Sequence, residues 1–213
     1  MMRLYDYYRS SAAYRVRIAL NLKGLAPKVV PVHLLRDGGE NFRADYMAKN
    51  PLALVPTLEV DGRPLIQSLA IIEYLEETHP APPLLPPDAP GRARVRAIAQ
   101  TVACEIHPLN NLRVLDYLVG TLGVDEAEKL AWYRHWVDEG LAGLERLLGQ
   151  DESDFCHGDA PTMADCCLIP QLYNARRFDC PLDAFPRLLR IAERCEWLPA
   201  FIAAQPENQP AAN

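Results

Sequence analysis

The residues best suited to chemistry lie near the start of the chain, where two serines separate an apolar run from a helical pattern. Ser10 and Ser11 follow the strand-like residues 4–8, and apolar residues recur at helical spacing from Val16 onward. Serine is favoured at the start of a helix, where backbone N–H groups have no carbonyl partner in the helix and carry partial positive charge. The pattern predicts a site for an anion or a thiolate, with two hydroxyl groups beside it.

The first 78 residues alternate between strand-like and helix-like segments. Gly24 is expected to end the first helix, and Pro31 places the second strand at a sheet edge. Asp61-Gly62 between two β-prone runs is a strong hairpin signal. The predicted elements are strand 4–8, helix 11–23, strand 28–34, a short helix near 42–49, strands 57–60 and 63–66, and helix 69–78, which Ser68 opens. The predicted order is βαβαββα.

A proline-rich segment divides the chain. Six prolines lie between His79 and Gly91, and they cannot occupy a helix interior or a central strand. We therefore predict a first domain at 1–80, a stiff linker at 81–91 and an all-helical domain at 92–213. The predicted helices of that domain are 92–119 with a kink at Pro108, 125–148, one opened by a capping box at Thr162–Asp165, 185–196 and 199–204.

Composition excludes several classes of function. With 22 basic and 28 acidic side chains the net charge is -6, which disfavours general binding to nucleic acid or a membrane surface. No apolar run approaches the ~18 residues of a membrane span, and the N-terminus lacks the apolar segment of a secretion signal, so we expect a cytoplasmic protein. The six cysteines include no C-x-x-C pair, and we expect reduced, mostly buried thiols and no metal site.

The predicted architecture and five motifs resemble the soluble glutathione transferases. In that family a thioredoxin-like βαβαββα domain is joined to an all-helical domain. The motif Ser10-Ser11-x-x-Tyr14-Arg15-Val16-Arg17 resembles the signature of the zeta class. Residues 50–58 and 67–75 resemble the two glutathione motifs of the family, and 106–111 and 174–178 resemble zeta-class segments of the helical domain. The resemblance extends over essentially the whole chain.

The resemblance implies a set of glutathione contacts. Ser10 is expected to be the main hydrogen-bond donor to the glutathione thiolate, with Ser11 as the alternative. The family pattern includes a cis bond before Pro56, a backbone pairing of Val55 with glutathione, and a γ-glutamyl carboxylate held at an N-cap formed by Ser68. The glutathione-binding residues expected in this way are Val55, Pro56, Gln67, Ser68, His107 and Asn111. For His107 a packed structural role is an equal alternative.

The same resemblance assigns three arginines to the substrate. A guanidinium group matches a carboxylate with two parallel hydrogen bonds, so Arg9, Arg113 and Arg177 are candidates for binding a small dicarboxylate. The position that is cysteine in many zeta-class enzymes is Ala12 in this chain, which excludes a covalent cysteine mechanism there.

The function implied is a glutathione-dependent cis–trans isomerisation of a maleyl dicarboxylate. The first candidate substrate is 4-maleylacetoacetate, in tyrosine and phenylalanine catabolism, and the alternative is maleylpyruvate, in gentisate or salicylate degradation. The sequence does not separate the two. General glutathione conjugation and a non-enzymatic binding role are further alternatives. The family also implies a homodimer, in which Glu105 is a candidate to approach the glutathione of the other subunit.

Overall fold

The computed structural model describes residues 1–149 and 152–209. They form two compact units: Met1–Leu84 together with the C-terminal residues from Trp197 onward, and Leu85–Glu196. The sequence-based division differs at both ends, because it closed the first domain at residue 80 and gave the entire C-terminus to the helical domain.

The first unit is a mixed sheet with helices. Its elements are β1 Met2–Asp6, α1 Ser11–Leu22, β2 Lys28–Pro31, α2 Ala44–Met47, β3 Thr57–Val60, β4 Arg63–Ile66 and α3 Ser68–Thr78, with short 3-10 turns at Arg36–Gly38 and Glu40–Phe42. The sheet order is β2-β1-β3-β4, with β1 parallel to β2 and the other two pairs antiparallel. The predicted order βαβαββα is confirmed, and β2 lies at an edge, as Pro31 requires.

Two turns that the sequence predicts in this unit are present in the structure. Asp61 and Gly62 both have positive φ, 49° and 81°, the backbone of a tight two-residue hairpin. Gly24 has φ of 66° directly after the end of α1. The first strand begins earlier than predicted, because Met2 and Arg3 pair with Val60 and Glu59 on β3.

The second unit is helical. Its elements are α4 Ala89–Gln100, a π-helical segment Thr101–Ile106, a 3-10 turn His107–Asn110, α5 Leu112–Gly120, α6 Glu126–Leu148, α7 Met163–Arg177 and α8 Pro186–Glu196. The predicted capping box at the start of α7 is confirmed, since Thr162 N–H and Oγ donate to the Asp165 carboxylate at 2.7 and 2.8 Å. Five of the six cysteines are buried, and only Cys104 is exposed.

The prediction of one helix from 92 to 119 with a simple kink was wrong. The helix begins at Ala89, because Asp88 caps it by accepting the Gly91 N–H at 2.8 Å, and Pro90 is tolerated in the first turn. Around Pro108 the backbone passes through π and 3-10 geometry, and a separate helix begins after Asn111.

The last helix, α9 Pro199–Ala204, packs against α1 and thereby joins the first unit. Arg17 Nε donates to the Ala204 carbonyl at 3.0 Å, and Asn21 Nδ2 donates to the Ala200 carbonyl at 2.9 Å. These contacts join residues 187 and 179 positions apart in sequence, so no local pattern indicates them. None of the helices among the described residues is long and apolar enough to cross a membrane.

A buried lysine binds the segment at residues 79–84, which follows α3. Lys23 Nζ donates to the Glu76 carboxylate at 2.8 Å and to the carbonyls of His79 and Pro82 at 2.6 and 3.0 Å. Glu76 also accepts the N–H of Leu84 at 2.9 Å. The Lys23 side chain is 0% exposed, so its charge depends on these partners.

Lys23→Met should therefore destabilise the protein strongly. Removing one partner of a buried ion pair leaves the other charge uncompensated, which costs about 3–5 kcal/mol. Urea unfolding would measure this loss. Lys129→Met is the matched control, because its partner Glu126 is 77% exposed and the pair should be worth no more than about 1 kcal/mol. Equal losses for the two variants would contradict the prediction.

Candidate functional site

Ser10 caps helix α1. Its backbone is extended, its N–H donates to the Tyr7 carbonyl at 2.8 Å, and its carbonyl accepts the Tyr14 N–H at 2.8 Å. Its Oγ accepts the Ala13 N–H at 3.2 Å. A hydroxyl group has one donor hydrogen besides its acceptor lone pairs, so the cap leaves that hydrogen available for another acceptor. Ser11 is the first helical residue and is buried; a capping role for Ser11 is thereby excluded.

The turn that precedes Ser10 is fixed by a buried ion pair. Arg17 Nη1 donates to both oxygens of Asp6, at 2.8 and 3.0 Å, and Nη2 donates to the Tyr8 carbonyl at 3.0 Å. Burial raises the pKa of Asp6 and lowers the pKa of Arg17, and the ion pair opposes both shifts. Arg17 is therefore structural, and it anchors the backbone directly before Arg9 and Ser10.

The Val55–Pro56 peptide bond is cis, as the resemblance predicted. Val55 lies two residues before the start of β3, and its side chain is buried in a cluster with Tyr5, Tyr7 and Tyr46. Within residues 1–149 and 152–209, neither the N–H nor the carbonyl of Val55 has a protein hydrogen-bond partner. Both groups can therefore pair with an extended, peptide-like ligand.

The start of α3 corrects one prediction. The N-cap is Gln67, with φ of 69° and no side-chain cap bond, and Ser68 is the first helical residue. Ser68 was expected to cap this helix, but its Oγ accepts a hydrogen bond from Arg15 Nη1 at 3.3 Å instead. Arg15 is buried and comes from α1, so a guanidinium charge lies beside the N-terminus of α3. Both features favour a bound carboxylate.

In the second unit, three predicted residues meet at the start of α5. Asn111 Oδ1 accepts the Arg113 N–H at 3.2 Å, which fixes the orientation of the amide. Asn111 Nδ2 then lies 3.4 Å from His107 Nε2 and donates toward it. In this contact Nε2 is the acceptor, because an amide nitrogen only donates. Glu105 is exposed in the π-helical segment.

The three arginines predicted to bind substrate share an environment. Arg9, Arg113 and Arg177 are all exposed, and among the described residues no carboxylate lies within ion-pair distance of any of them. Arg9 lies over the ring of Tyr8 at 5.0 Å, and Arg177 over that of Phe178 at 5.2 Å. The guanidinium groups of Arg9 and Arg177 thus contact aromatic rings, and such a contact leaves their N–H groups available for a carboxylate.

No metal centre is indicated in the described part of the chain, which contains no suitable group of three or more His, Cys, Asp or Glu side chains. Burial raises the pKa of the thiols of Cys156 and Cys166, which keeps these groups protonated and poor as nucleophiles.

Comparison with known proteins gives the family. Residues 4–83 match the N-terminal domain of glutathione S-transferase, and residues 131–194 match its C-terminal domain. Two of the most similar relatives are a probable maleylacetoacetate isomerase of Vibrio cholerae and the maleylacetoacetate isomerase of Pseudomonas aeruginosa. Each is 52% identical over 98% of this chain, and the alignments cover 97% and 98% of those proteins.

Solved structures agree. A bacterial zeta-class maleylpyruvate isomerase in its holo form aligns with a TM-score of 0.96 and 46% identity, over 99% of this chain and 100% of that one. A maleylacetoacetate isomerase from Anaeromyxobacter dehalogenans, with dicarboxyethyl glutathione and citrate in its active site, aligns with a TM-score of 0.89 and 48% identity, over 100% and 98%. The chain therefore belongs to the glutathione S-transferase family, and both the predicted fold class and the resemblance to the zeta class are confirmed.

Ser68→Ala tests the contact between α1 and α3. The variant removes one acceptor from the buried guanidinium of Arg15, and we expect a loss of about 1–3 kcal/mol in the free energy of unfolding. Gln67→Ala is the control: this exposed neighbour makes no side-chain cap bond, so the change should stay within about 0.5 kcal/mol. An unchanged urea midpoint in Ser68→Ala would contradict the expected role of the contact.

Proposed function

We propose that this protein is a glutathione-dependent cis–trans isomerase (EC 5.2.1.2) that converts 4-maleylacetoacetate to 4-fumarylacetoacetate in tyrosine and phenylalanine catabolism. The observation that carries the proposal is the similarity along nearly the whole chain to maleylacetoacetate isomerases. The relative from Anaeromyxobacter adds chemical support, because its bound glutathione carries a two-carboxylate substituent.

The first unit fits glutathione at three points. Val55 offers an N–H and a carbonyl that have no protein partner among the described residues. The N-terminus of α3 with Arg15 offers positive potential for a carboxylate, and Ser10 offers a hydroxyl hydrogen. When bound there, glutathione would supply a thiolate for reversible addition to the activated cis double bond, with the electron pair taken up by the neighbouring carbonyl. The resulting single bond could rotate and re-form as trans when the sulfur leaves.

Ser10 and the N-terminus of α1 favour the thiolate over the thiol. A free thiol has a pKa near 8.5, so only a few per cent is ionised at pH 7. A hydroxyl donor and the partial positive charge of a helix N-terminus both stabilise the anion, and each unit of pKa lowering corresponds to about 1.4 kcal/mol. Ser10 is preferred to Ser11 because it stands at the cap with its hydroxyl hydrogen unused by the cap bond.

The three exposed arginines indicate the class of substrate. Arg9, Arg113 and Arg177 are proposed to bind the carboxylates of the substrate. They would also stabilise negative charge that moves onto its carbonyl oxygen during the reaction. Exposed guanidinium groups that have no carboxylate partner among the described residues favour an anionic dicarboxylate over an apolar electrophile. This argues against general conjugation as the main activity.

Maleylpyruvate isomerisation is the second candidate. The specific observation in its favour is the zeta-class maleylpyruvate isomerase with a TM-score of 0.96. The two substrates present the same maleyl group to the same residues, so side-by-side kcat/KM values for both decide between them. We further propose that the protein is a cytoplasmic homodimer, as implied by its family.

Substitutions at Ser10 separate capping from thiolate stabilisation. Ser10→Ala should cost about 1 kcal/mol of stability, whereas Ser10→Gly, a better cap, should cost only a few tenths. Because both variants lack the hydroxyl, both should lower kcat by about a hundredfold, as does loss of a preorganised donor elsewhere. Turnover with maleylacetoacetate and thermal unfolding measure the two effects.

Ser10→Thr is the rescue variant, since it keeps both the cap and the hydroxyl. Ser11→Ala tests the alternative donor. If Ser11→Ala removes turnover while Ser10→Gly does not, the assignment passes to Ser11. Equal losses in turnover and in glutathione binding for Ser10→Gly would argue against a role on the sulfur.

Arg113→Met and Arg177→Met should raise KM for the dicarboxylate by about tenfold or more, because each removes a charge-assisted hydrogen bond worth about 1.5–3 kcal/mol. Glutathione affinity should change little. Arg194→Met is the control, because Arg194 already pairs with Asp154 at 2.9 Å on the surface. An unchanged KM in both test variants would exclude these arginines from substrate binding.

A further inference from the structure

Three buried polar side chains converge on the loop that leads to Val55. Asn41 Nδ2 donates to the Ala53 carbonyl at 2.8 Å. Tyr46 Oη donates to the Leu54 carbonyl at 2.5 Å, and Asn50 Nδ2 donates to the same carbonyl at 2.7 Å. We call Asn41, Tyr46 and Asn50 the carbonyl clamp. Their side chains are 6%, 5% and 2% exposed, so these bonds do not compete with water.

The directions of these bonds are determined. The Leu54 carbonyl only accepts, so it takes the single hydroxyl hydrogen of Tyr46, and the Thr57 hydroxyl, 3.0 Å away, must donate to Tyr46. Burial raises the pKa of Tyr46, which keeps this donor protonated. The Ala53 carbonyl likewise fixes the Asn41 amide with its nitrogen toward the loop.

Because a peptide unit is planar, the bonds that hold the Leu54 carbonyl also orient the N–H of Val55. The Leu54 carbonyl and the Val55 N–H belong to one planar trans unit, in which they point in opposite directions. When Tyr46 and Asn50 hold the carbonyl on the buried side, the Val55 N–H must point away from that side. This is the N–H that has no protein partner within the described residues.

The backbone of the loop needs such a restraint. Ala53 has φ of 52°, a left-handed conformation that residues with a β carbon rarely adopt and that persists where neighbouring contacts impose it. Asn41 also keeps a buried Oδ1 without a partner among the described residues, an arrangement that costs stability. A contribution to stability therefore does not by itself explain why an asparagine lies at position 41.

We propose that Asn41, Tyr46 and Asn50 are positioning residues for glutathione, which fix the Ala53 and Leu54 carbonyls so that the Val55 backbone is presented to the cysteinyl unit. This inference rests on the proposed use of glutathione. The clamp acts through the loop and touches no ligand. Its loss should weaken glutathione binding without impairing the later chemistry.

The test compares two tyrosine hydroxyls in one buried cluster. Tyr46→Phe should raise the Kd of reduced glutathione, measured by calorimetry, by about fivefold to tenfold, as expected for one lost hydrogen bond. At saturating glutathione, kcat should stay close to wild type. Tyr5→Phe is the matched control: its ring centroid lies 6.0 Å from that of Tyr46, but its hydroxyl donates to Glu59 and not to the loop. Its Kd should not change.

Two further measurements distinguish positioning from general stability. Asn41→Leu removes the buried oxygen that lacks a partner among the described residues, but it also leaves the Ala53 carbonyl without its donor, so a small fall in Tm is expected. The Kd of glutathione, measured well below that Tm, should still rise. Hydrogen exchange at the Val55 amide should slow when glutathione is added to wild type, and this protection should be reduced in Tyr46→Phe.

These experiments distinguish failure of the carbonyl clamp from failure of the proposed function. If wild type binds glutathione and Tyr46→Phe binds it equally well, the clamp is refuted and the proposed function stands. Equal weakening in Tyr46→Phe and Tyr5→Phe also refutes the clamp, because the effect is then general. If wild type fails to bind glutathione, both the proposed function and this inference are overturned.

Discussion

The buried pair of Arg17 and Asp6 is the interaction on which the first unit depends. One guanidinium binds the end of β1 through Asp6, the following turn through the Tyr8 carbonyl, and α9 through the Ala204 carbonyl. Loss of one partner from such a pair costs about 3–5 kcal/mol, because the remaining charge stays buried. Arg9 and Ser10 follow Tyr8 immediately. The Arg17 guanidinium that binds α9 to the sheet therefore also fixes the backbone at the start of α1.

The arginines of this protein divide by environment. Arg15 and Arg17 are buried on α1, where their charges bind Ser68 and Asp6 and hold elements together. Arg9, Arg113 and Arg177 are exposed and have no carboxylate partner in the described part of the chain. An overall net charge of -6 therefore coexists with local positive groups, and a small anion is attracted by those groups and not by the surface as a whole.

Features set by neighbouring residues could be predicted from the sequence, and features set by distant ones could not. The turn at Asp61-Gly62 and the capping box of Thr162 and Asp165 need only residues within three positions, and both were predicted correctly. Ser68 was misassigned as a cap because its partner, Arg15, lies 53 positions away. The association of α9 with α1 likewise arises from contacts between residues far apart in sequence. The clamp on the Val55 loop depends on side-chain contacts that only the fold shows. Arg15 was recognisable as a motif residue, but only the fold shows what it bonds.

Backbone strain marks the two ends of the proposed glutathione site. Ala53 and Gln67 both have positive φ although neither is glycine, and neither belongs to a hairpin turn. Ala53 lies two residues before Val55 and Gln67 directly before Ser68, so each strained residue precedes a proposed ligand contact. Such conformations cost about 1–3 kcal/mol each and persist only when surrounding contacts impose them. At Ala53 those contacts come from Asn41, and at the start of α3 the buried Arg15 holds Ser68. The stability of the core thus keeps a few backbone groups in fixed directions in the absence of ligand. Less conformational entropy is then lost on binding.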